Sequence, residues 1–440
     1  MVDLGNRLRI DEAVDVERGL VDRRIFSDQE IYELELEHIF ARAWNFMCHE
    51  SQIPKTGDYF MNYVGEESVI VVRDKEGGIQ VLLNTCQHRG NAVCRAEQGH
   101  ASSFMCTYHG WTYNLQGKLV GVPGNKDLYH EELDRENWGL TRAPLVESYK
   151  GFVFANFDAD APPLEEFLGE VGTIGLSLMA ERGDLAVVDG IQKYTIGCNW
   201  KLAVDNLFDW YHVQITHASA MMVNFIPPRA GAKQPPTPNT EHLVMLGEYG
   251  HAISGPSYDA ERDGAGSFSD ESWRKEPKVQ AALGPVGMQS IGHPNIFPNL
   301  WVEATGGTQL SLRLPRGPMK TEIWWFTLLD KNLPAEEWEA QRRQAVCVFG
   351  PAGGLEQEDG ENWDQSTRAT TGVIARRRPL NFSMGLGHGE VAKDDSGSGH
   401  IMTKINEHAQ LWTYRAWAEW MAAENWTDLK ERHSLVPDNV

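Results

Sequence analysis

The sequence predicts an α+β fold in which a β-rich stretch lies between helical parts. Three observations carry this. A helix-opening pattern stands near the N-terminus, short β-runs crowd between Asp58 and Asn84, and helices and β-signals share the chain after residue 190.

The first helix opens at Ser27-Asp28-Gln29-Glu30, a capping-box pattern, with Ile31, Leu34, Ile39 and Phe40 as its apolar stripe. YFMNYV, SVIVVRD and IQVLLN follow as strands, punctuated by Gly65 and the Gly77-Gly78 pair. GFVFANF at 151–157 closes the β-rich stretch, and residues 162–181 read as helical. A second helical signal covers 191–223. Residues 227–287, rich in Pro, Gly and polar side chains, read as a long irregular segment, which predicts a lid or binding loop. β-Signals return at NLWVEA, QLSLRLPRG and TEIWWFTLLD, and helices are predicted at 334–349 and 405–423. There is no internal repeat and no low-complexity tail.

Composition narrows the function classes. The 440 residues hold 40 basic and 62 acidic side chains, a net charge of −22. That balance excludes a general nucleic-acid binder and a protein docked on an anionic membrane face. At 41% hydrophobic and 23% charged, the chain can bury a large core in roughly two to three domains. No run of about 18 apolar residues is present. The opening MVDLGNRLRIDEAVDVERG lacks the apolar stretch of a signal peptide, so a cytoplasmic location is expected.

Six cysteines are too few for a disulfide framework and fit a reducing compartment. Cys48, Cys94, Cys198 and Cys347 are expected to be packed thiols. Cys86 and Cys106 differ, because each has a histidine within three positions. Cys86-Gln87-His88 is followed, after 17 residues, by Cys106-Thr107-Tyr108-His109. Two such pairs can supply four ligands to one centre. One reading is structural zinc, although Cys-x-His is not the usual finger spacing. The other is a two-iron cluster with two Cys on one iron and two His on the other, where imidazole raises the reduction potential.

A second constellation lies in CNWKLAVDNLFDWYHVQITHASA, residues 198–220. On a helix, Asp205, Asp209 and His212 would share one face. His217 would lie about 140° round from His212, so the helix must distort or end between them if both bind one metal. A third ligand, a carboxylate from elsewhere, would complete the two-histidine-one-carboxylate triad of non-haem Fe(II) oxygenases.

NTCQHRG and CTYHGWTY resemble the Rieske [2Fe–2S] signature, without the extra loop cysteines of respiratory Rieske proteins. Asn206, Asp209, His212 and His217 match the pattern of Rieske ring-hydroxylating oxygenase α subunits, with one residue fewer between Asn206 and Asp209 than in the naphthalene-dioxygenase type. Phe349-Gly-Pro-Ala-Gly-Gly-Leu-Glu356-Gln-Glu358-Asp359 resembles the family's third-ligand segment. The resemblance covers nearly the whole chain. It implies an all-β Rieske domain at 40–157, inserted in a catalytic domain of residues 1–39 and 158–440. That domain would have an antiparallel sheet bordered by helices, of helix-grip type.

The same resemblance implies cluster ligands Cys86, His88, Cys106 and His109. The mononuclear iron ligands would be His212, His217 and Asp359, with Glu358 as fallback. Asp209 would bridge His109 to His212 between neighbouring subunits of a head-to-tail trimer. The substrate pocket would be lined by Asn206, Leu207, Phe208, Met221, Phe225, His293, Asn295, Thr305, Phe349 and Leu355. Most of these are apolar and suit an aromatic ring. Arg313 matches an arginine of hydrocarbon-oxidising members, whereas Arg229 and Lys233 could hold a carboxylate.

No G-x-G-x-x-G fingerprint follows a strand, so NAD(P)H would act through a separate reductase, with or without a ferredoxin. The expected activity is cis-dihydroxylation, by O2, of a bicyclic or polycyclic aromatic of the biphenyl, dibenzofuran or naphthalene kind. Oxygenation of an aromatic acid, and monooxygenation or demethylation, are the alternatives within the class. An electron-transfer-only Rieske protein and a zinc-stabilised binding module are those outside it. The assembly would be α3, or α3β3 with a small β subunit.

Overall fold

The computed structural model describes residues 10–223, 240–258, 271–303, 308–393, 399–433 and 436. The chain divides into two compact units, Phe40–Leu164 and Met1–Ile39 with Glu165–Val440.

The unit Phe40–Leu164 is built of short antiparallel strands, as its β-branched and aromatic runs favour. They are β1 (Asn45–His49), β2 (Asp58–Val64), β3 (Glu67–Arg73), β4 (Ile79–Leu83), β5 (Gln98–His100), β6 (Phe104–Met105), β7 (Thr112–Tyr113), β8 (Leu119–Gly121), β9 (Leu145–Tyr149) and β10 (Phe152–Asn156). Three small sheets result, in the orders β4-β3-β2-β5, β8-β7-β6 and β9-β10-β1. Tyr59, Ile70, Leu82, Phe104, Trp111 and Tyr113 form a core that takes in Cys86 and Cys106. Both thiols are therefore withdrawn from water.

In the second unit, α1 (Gln29–Glu35) is capped by Asp28, whose carboxylate accepts from Glu30 N–H and Ile31 N–H. Ser27, the expected opening of the capping box, instead ends the preceding turn. α2 (Leu164–Ala180) leads to a ten-stranded antiparallel sheet. Its strands are β11 (Leu185–Val187), β12 (Gln192–Ile196), β13 (His242–Leu246), β14 (Ala252–Pro256), β15 (His293–Ile296), β16 (Leu300–Glu303), β17 (Gln309–Pro315), β18 (Thr321–Asp330), β19 (Ala392–Lys393) and β20 (Gly399–Thr403). The order is β11-β18-β17-β16-β15-β14-β13-β20-β19, with β12 also on β18.

The pairing register sorts the side chains by face. Ile296, Leu300, Leu312 and Trp324 lie opposite one another on an apolar face. α2 packs there, where Gly175 meets Pro294 and Ile296 closely enough that a Cβ would clash. Asn295, Trp301, Ser311 and Trp325 lie on the other face, with Arg313 and Tyr194. Aromatic and polar groups on that second face meet the helices that carry the candidate site.

The remaining helices are α3 (Trp200–Asp205), α4 (Val213–Thr216), α5 (Ala218–Met222), α6 (Pro277–Gly287), α7 (Ala335–Val348), α8 (Gly354–Thr370), α9 (His408–Ala422) and α10 (Trp426–Arg432). Two expectations are corrected. Residues 227–287 are not one irregular segment: β13, β14 and α6 lie in it, and both strands are buried along their whole length. Burial on both faces removes the polar–apolar alternation that marks a strand in a sequence. Cys347 is exposed on α7 rather than packed, while Cys48, Cys94 and Cys198 are buried. Among the described residues, no helix is long and apolar enough to cross a membrane.

Candidate metal centres

Two loops with the same hydrogen-bond pattern present the first four residues. Cys86 N–H donates to the Asn91 carbonyl at 2.9 Å, and Gly90 N–H to the Cys86 carbonyl at 2.8 Å. In the second loop, Cys106 N–H donates to Trp111 at 2.8 Å and Gly110 N–H to Cys106 at 2.9 Å. Gly90 and Gly110 sit at φ +73° and +76°, a left-handed turn that glycine adopts without Cβ strain.

The loops bring like groups together. His88 Nδ1 faces His109 Nδ1 at 3.1 Å, and the Cys86 and Cys106 thiols are in contact. Burial raises the Cys106 thiol, but the Tyr108 N–H, the Asn91 amide and the other contacts at the sulfur leave it below its ordinary value, which favours the thiolate. Burial, His109 and Arg89 lower His88, which keeps its imidazole neutral. All six cysteines are free of disulfides, and neither histidine stands on a helix, as a zinc finger would require. Two sulfurs and two facing Nδ1 atoms are the donor set of a Rieske cluster, and the residues fit it.

Three neighbours that the spacing argument did not single out complete this site. The Tyr113 hydroxyl lies 3.2 Å from Cys86 Sγ, and Asn91 Nδ2 donates to Cys106 Sγ at 3.6 Å. Trp111 stacks on His88 with ring centroids 5.0 Å apart. Trp111 and Tyr113 stand inside the CTYHGWTY run, so the signal was present but only their contacts reveal the roles.

The second centre corrects the one-helix reading. α3 stops at Asp205, Asn206–Phe208 form a 3₁₀ turn, and Asp209 is extended at φ −86°, ψ 94°. Its Oδ1 accepts from Tyr211 N–H at 2.8 Å and His212 N–H at 3.3 Å. This Asp turn competes with the helix and ends it. Asp205 turns away to a buried hydrogen bond from the Tyr414 hydroxyl. The chain then breaks again at His217, between α4 and α5, as the five-residue spacing of the histidines requires.

Asp359 enters from α8 and is buried. One donor atom from each of His212, His217 and Asp359 lies within 4.8 Å of the others. Asp359 Oδ1 is 3.3 Å from His212 Nε2 and 3.4 Å from His217 Nε2, yet it is buried without a hydrogen-bond partner among the described residues. Burial pushes its carboxyl up to about 6 against the pull of both histidines. A divalent cation held by these three atoms would supply the missing positive partner, so the residues fit a mononuclear iron.

Each histidine also has a carboxylate at its other nitrogen. Asp209 Oδ2 lies 3.4 Å from His212 Nδ1, and Glu358 Oε2 lies 2.9 Å from His217 Nδ1. Glu358, the fallback ligand, thus approaches the far side of the ring, and Asp359 alone faces both Nε2 atoms. Burial lowers His212, but Asp209 and Asp359 outweigh it and leave the ring raised. Burial raises both Asp209 and Glu358, and their hydrogen-bond partners more than offset it, leaving both lowered and charged.

Of the residues expected to line a substrate pocket, Leu207 and His293 meet through the Leu207 carbonyl and His293 Nδ1 at 3.0 Å. Burial pushes His293 down to about 4, so it is neutral. Phe349 stacks on Trp325 at 4.7 Å and meets Trp301 edge-on at 5.3 Å. Asn295 pairs with Trp301 across β15 and β16. Phe208 and Leu355 are buried, while Asn206 and Met221 are half-buried. Phe225 and Thr305, and with them Arg229 and Lys233, lie outside the described residues. Arg313 is buried and paired with Glu356 at 2.7 Å, an α8 carboxylate that also accepts from Tyr194 and Trp325.

Both units match known protein families. Residues 184–423 match the family of the ring hydroxylating alpha subunit (catalytic domain), and residues 43–148 match the Rieske [2Fe–2S] domain. The biphenyl dioxygenase subunit alpha of Paraburkholderia xenovorans is 37% identical, over 95% of this chain and 94% of that one. The benzene 1,2-dioxygenase subunit alpha of Pseudomonas putida is 34% identical, over 97% and 96%. Naphthalene 1,2-dioxygenase solved with indole in its active site superposes with a TM-score of 0.84 at 29% identity, over 98% of this chain and 97% of that one. The Rhodococcus sp. naphthalene dioxygenase bound to indole gives 0.79 at 34% identity, over 92% and 95%. Matches of this extent, covering both units, place the chain among the Rieske ring-hydroxylating oxygenase α subunits, oxidoreductases that hold a [2Fe–2S] cluster and a mononuclear non-haem iron.

Proposed function

We propose that this chain is the terminal oxygenase that cis-dihydroxylates an aromatic ring, with a bicyclic or polycyclic hydrocarbon of the biphenyl, dibenzofuran or naphthalene kind as substrate. The observation that carries the reading is the convergence of His212, His217 and Asp359 within 4.8 Å in a chain that also presents the Rieske donor set. When bound, the two iron centres supply O2 activation and one-electron delivery.

The protein's own residues do the rest. Cys86, His88, Cys106 and His109 would hold the cluster, with Tyr113 and Asn91 donating to its sulfurs. His212, His217 and Asp359 would hold the iron with three protein atoms and leave positions for O2 and substrate. Aromatic rings at Trp301, Trp325 and Phe349 favour a flat apolar guest. Arg313, engaged by Glu356, does not favour an aromatic acid.

Electrons would come from a separate reductase, with or without a ferredoxin, and NAD(P)H as ultimate donor. The transfer path proposed runs between subunits of a head-to-tail α3 or α3β3 assembly in the cytoplasm. Asp209, half-exposed beside His212, would accept the ring N–H of His109 of the partner subunit. Tyr211, Ile215, Met222 and Val223 are 62, 82, 83 and 72% exposed around the two iron-site histidines, an apolar surface suited to such an interface.

A single turnover tests the reading. The reduced protein would be mixed with ¹⁸O2 and a panel of aromatic hydrocarbons and aromatic acids, and the products analysed by mass spectrometry. A dihydrodiol carrying two labelled oxygens from a bicyclic hydrocarbon is the expected result. One labelled oxygen, loss of a methyl group, or turnover of the acids alone would contradict it.

A further inference from the structure

The side chain next to the third ligand has a separate task. Glu358 Oε2 lies 2.9 Å from His217 Nδ1, and Glu358 Oε1 accepts from the Ser219 hydroxyl. Ser219 stands on α5, just past the break at His217, and Glu358 on α8. On the other side of the break, Asn362 Nδ2 donates to Thr216 Oγ1 at 3.4 Å and to the Glu358 carbonyl at 3.3 Å. α8 therefore grips the chain on both sides of His217. The ring itself is held at both nitrogens, by Glu358 at Nδ1 and beside Asp359 at Nε2.

We infer that Glu358 is a positioning residue, which fixes His217 as the Nδ1–H tautomer and keeps the Nε2 lone pair aimed at the metal, with Ser219 orienting the carboxylate. This rests on the reading that His217 is an iron ligand. An imidazole exists as two tautomers, and its ring can turn about the Cβ–Cγ bond; only one combination presents a lone pair at Nε2 here. A carboxylate at Nδ1 selects that tautomer, resists ring rotation and raises the basicity of the ligating nitrogen. His212 has a looser counterpart, since its Nδ1 makes no hydrogen bond within normal geometry and Asp209 stands 3.4 Å away. The two histidines are thus unequal, and the tighter hold is on His217.

The experiment measures Fe(II) affinity, not turnover. Wild-type holoenzyme, Glu358→Ala, Glu358→Gln, Ser219→Ala and His217→Ala would be equilibrated anaerobically with Fe(II) against a competing chelator. Iron would be counted per chain, with cluster absorbance as the internal measure of an intact Rieske unit. Glu358→Ala is expected to bind Fe(II) about 10–100-fold more weakly with unchanged cluster absorbance. Glu358→Gln, whose amide oxygen can still accept the Nδ1–H, should recover part of the loss, and Ser219→Ala should show a smaller one. A merely structural grip would lower the melting temperature of these variants and leave Fe(II) affinity alone, which overturns the inference. Should Glu358→Ala fail to fold, wild-type affinity in Glu358→Gln and Ser219→Ala overturns it equally. His217→Ala separates the two failures. If it retains the iron, the ligand reading is wrong; if it loses the iron while the Glu358 variants keep it, only the role of Glu358 is wrong.

Discussion

Glu358 and Asp359, neighbours on α8, approach opposite nitrogens of one imidazole: Glu358 reaches His217 Nδ1 at 2.9 Å and Asp359 stands 3.4 Å from His217 Nε2. A helix turns about 100° per residue, so consecutive side chains diverge, and a ring placed between them meets one on each side. The order of the acidic pair decides which carboxylate faces both Nε2 atoms.

Asp359 makes the metal-free protein sensitive to pH. Its carboxyl is pushed from the ordinary 3.8 up to about 6, chiefly by burial, so the folded state holds this proton more tightly than the unfolded chain. The destabilising contribution is present in full above about pH 6 and is relieved as the pH falls from 6 towards 3.8. Chelator-treated Asp359→Asn should therefore be more stable than chelator-treated wild type at pH 7, by an amount on the order of 1–3 kcal/mol, and should bind no iron. Calorimetry at pH 7 and pH 5 checks this, with the difference shrinking at pH 5. A variant less stable than wild type at pH 7 contradicts it.

Asp209→Asn should leave both centres loaded, because the side chain stands 3.4 Å from His212 Nδ1, a looser hold than Glu358 has on His217, and the asparagine amide keeps that place. Electron transfer from the reduced cluster to the catalytic site should slow by about 10–100-fold, the activity cost usual for changing a carboxylate beside a metal-binding histidine. Stopped-flow reoxidation of the cluster in the presence of substrate and oxygen measures it. Wild-type reoxidation would remove Asp209 from the path.

Tyr113→Phe removes the hydroxyl 3.2 Å from Cys86 Sγ. Hydrogen bonds to cluster sulfur stabilise the reduced, more negative state, so the potential should fall. A net hydrogen bond of about 0.5–1.5 kcal/mol corresponds to roughly 20–65 mV for one electron. Protein-film voltammetry reads the shift directly, and an unchanged or higher potential would contradict this assignment of the Tyr113 contact.

Much of both candidate centres is legible in the sequence, because the Cys-x-His and Cys-x-x-His spacing in short loops leaves few other uses for Cys86, His88, Cys106 and His109, and the fold brings the two loops together. His212 and His217 are legible for a related reason: the five-residue step forces a helix break, and the break is there. What the sequence hides is long-range. That Asp205 faces Tyr414 and not the site, 209 residues away in the chain, depends on tertiary packing. So does the pairing of Arg313 with Glu356. The strands His242–Leu246 and Ala252–Pro256 were hidden because a strand buried on both faces carries no alternation.

The most direct test is a metal and sulfide count on anaerobically purified protein, beside the same count on His217→Ala. The wild type should be red-brown, with about three irons and two acid-labile sulfides per chain, and the variant should lose one iron while its cluster spectrum is unchanged. A colourless protein carrying zinc, or a variant that keeps every iron, would contradict that expectation.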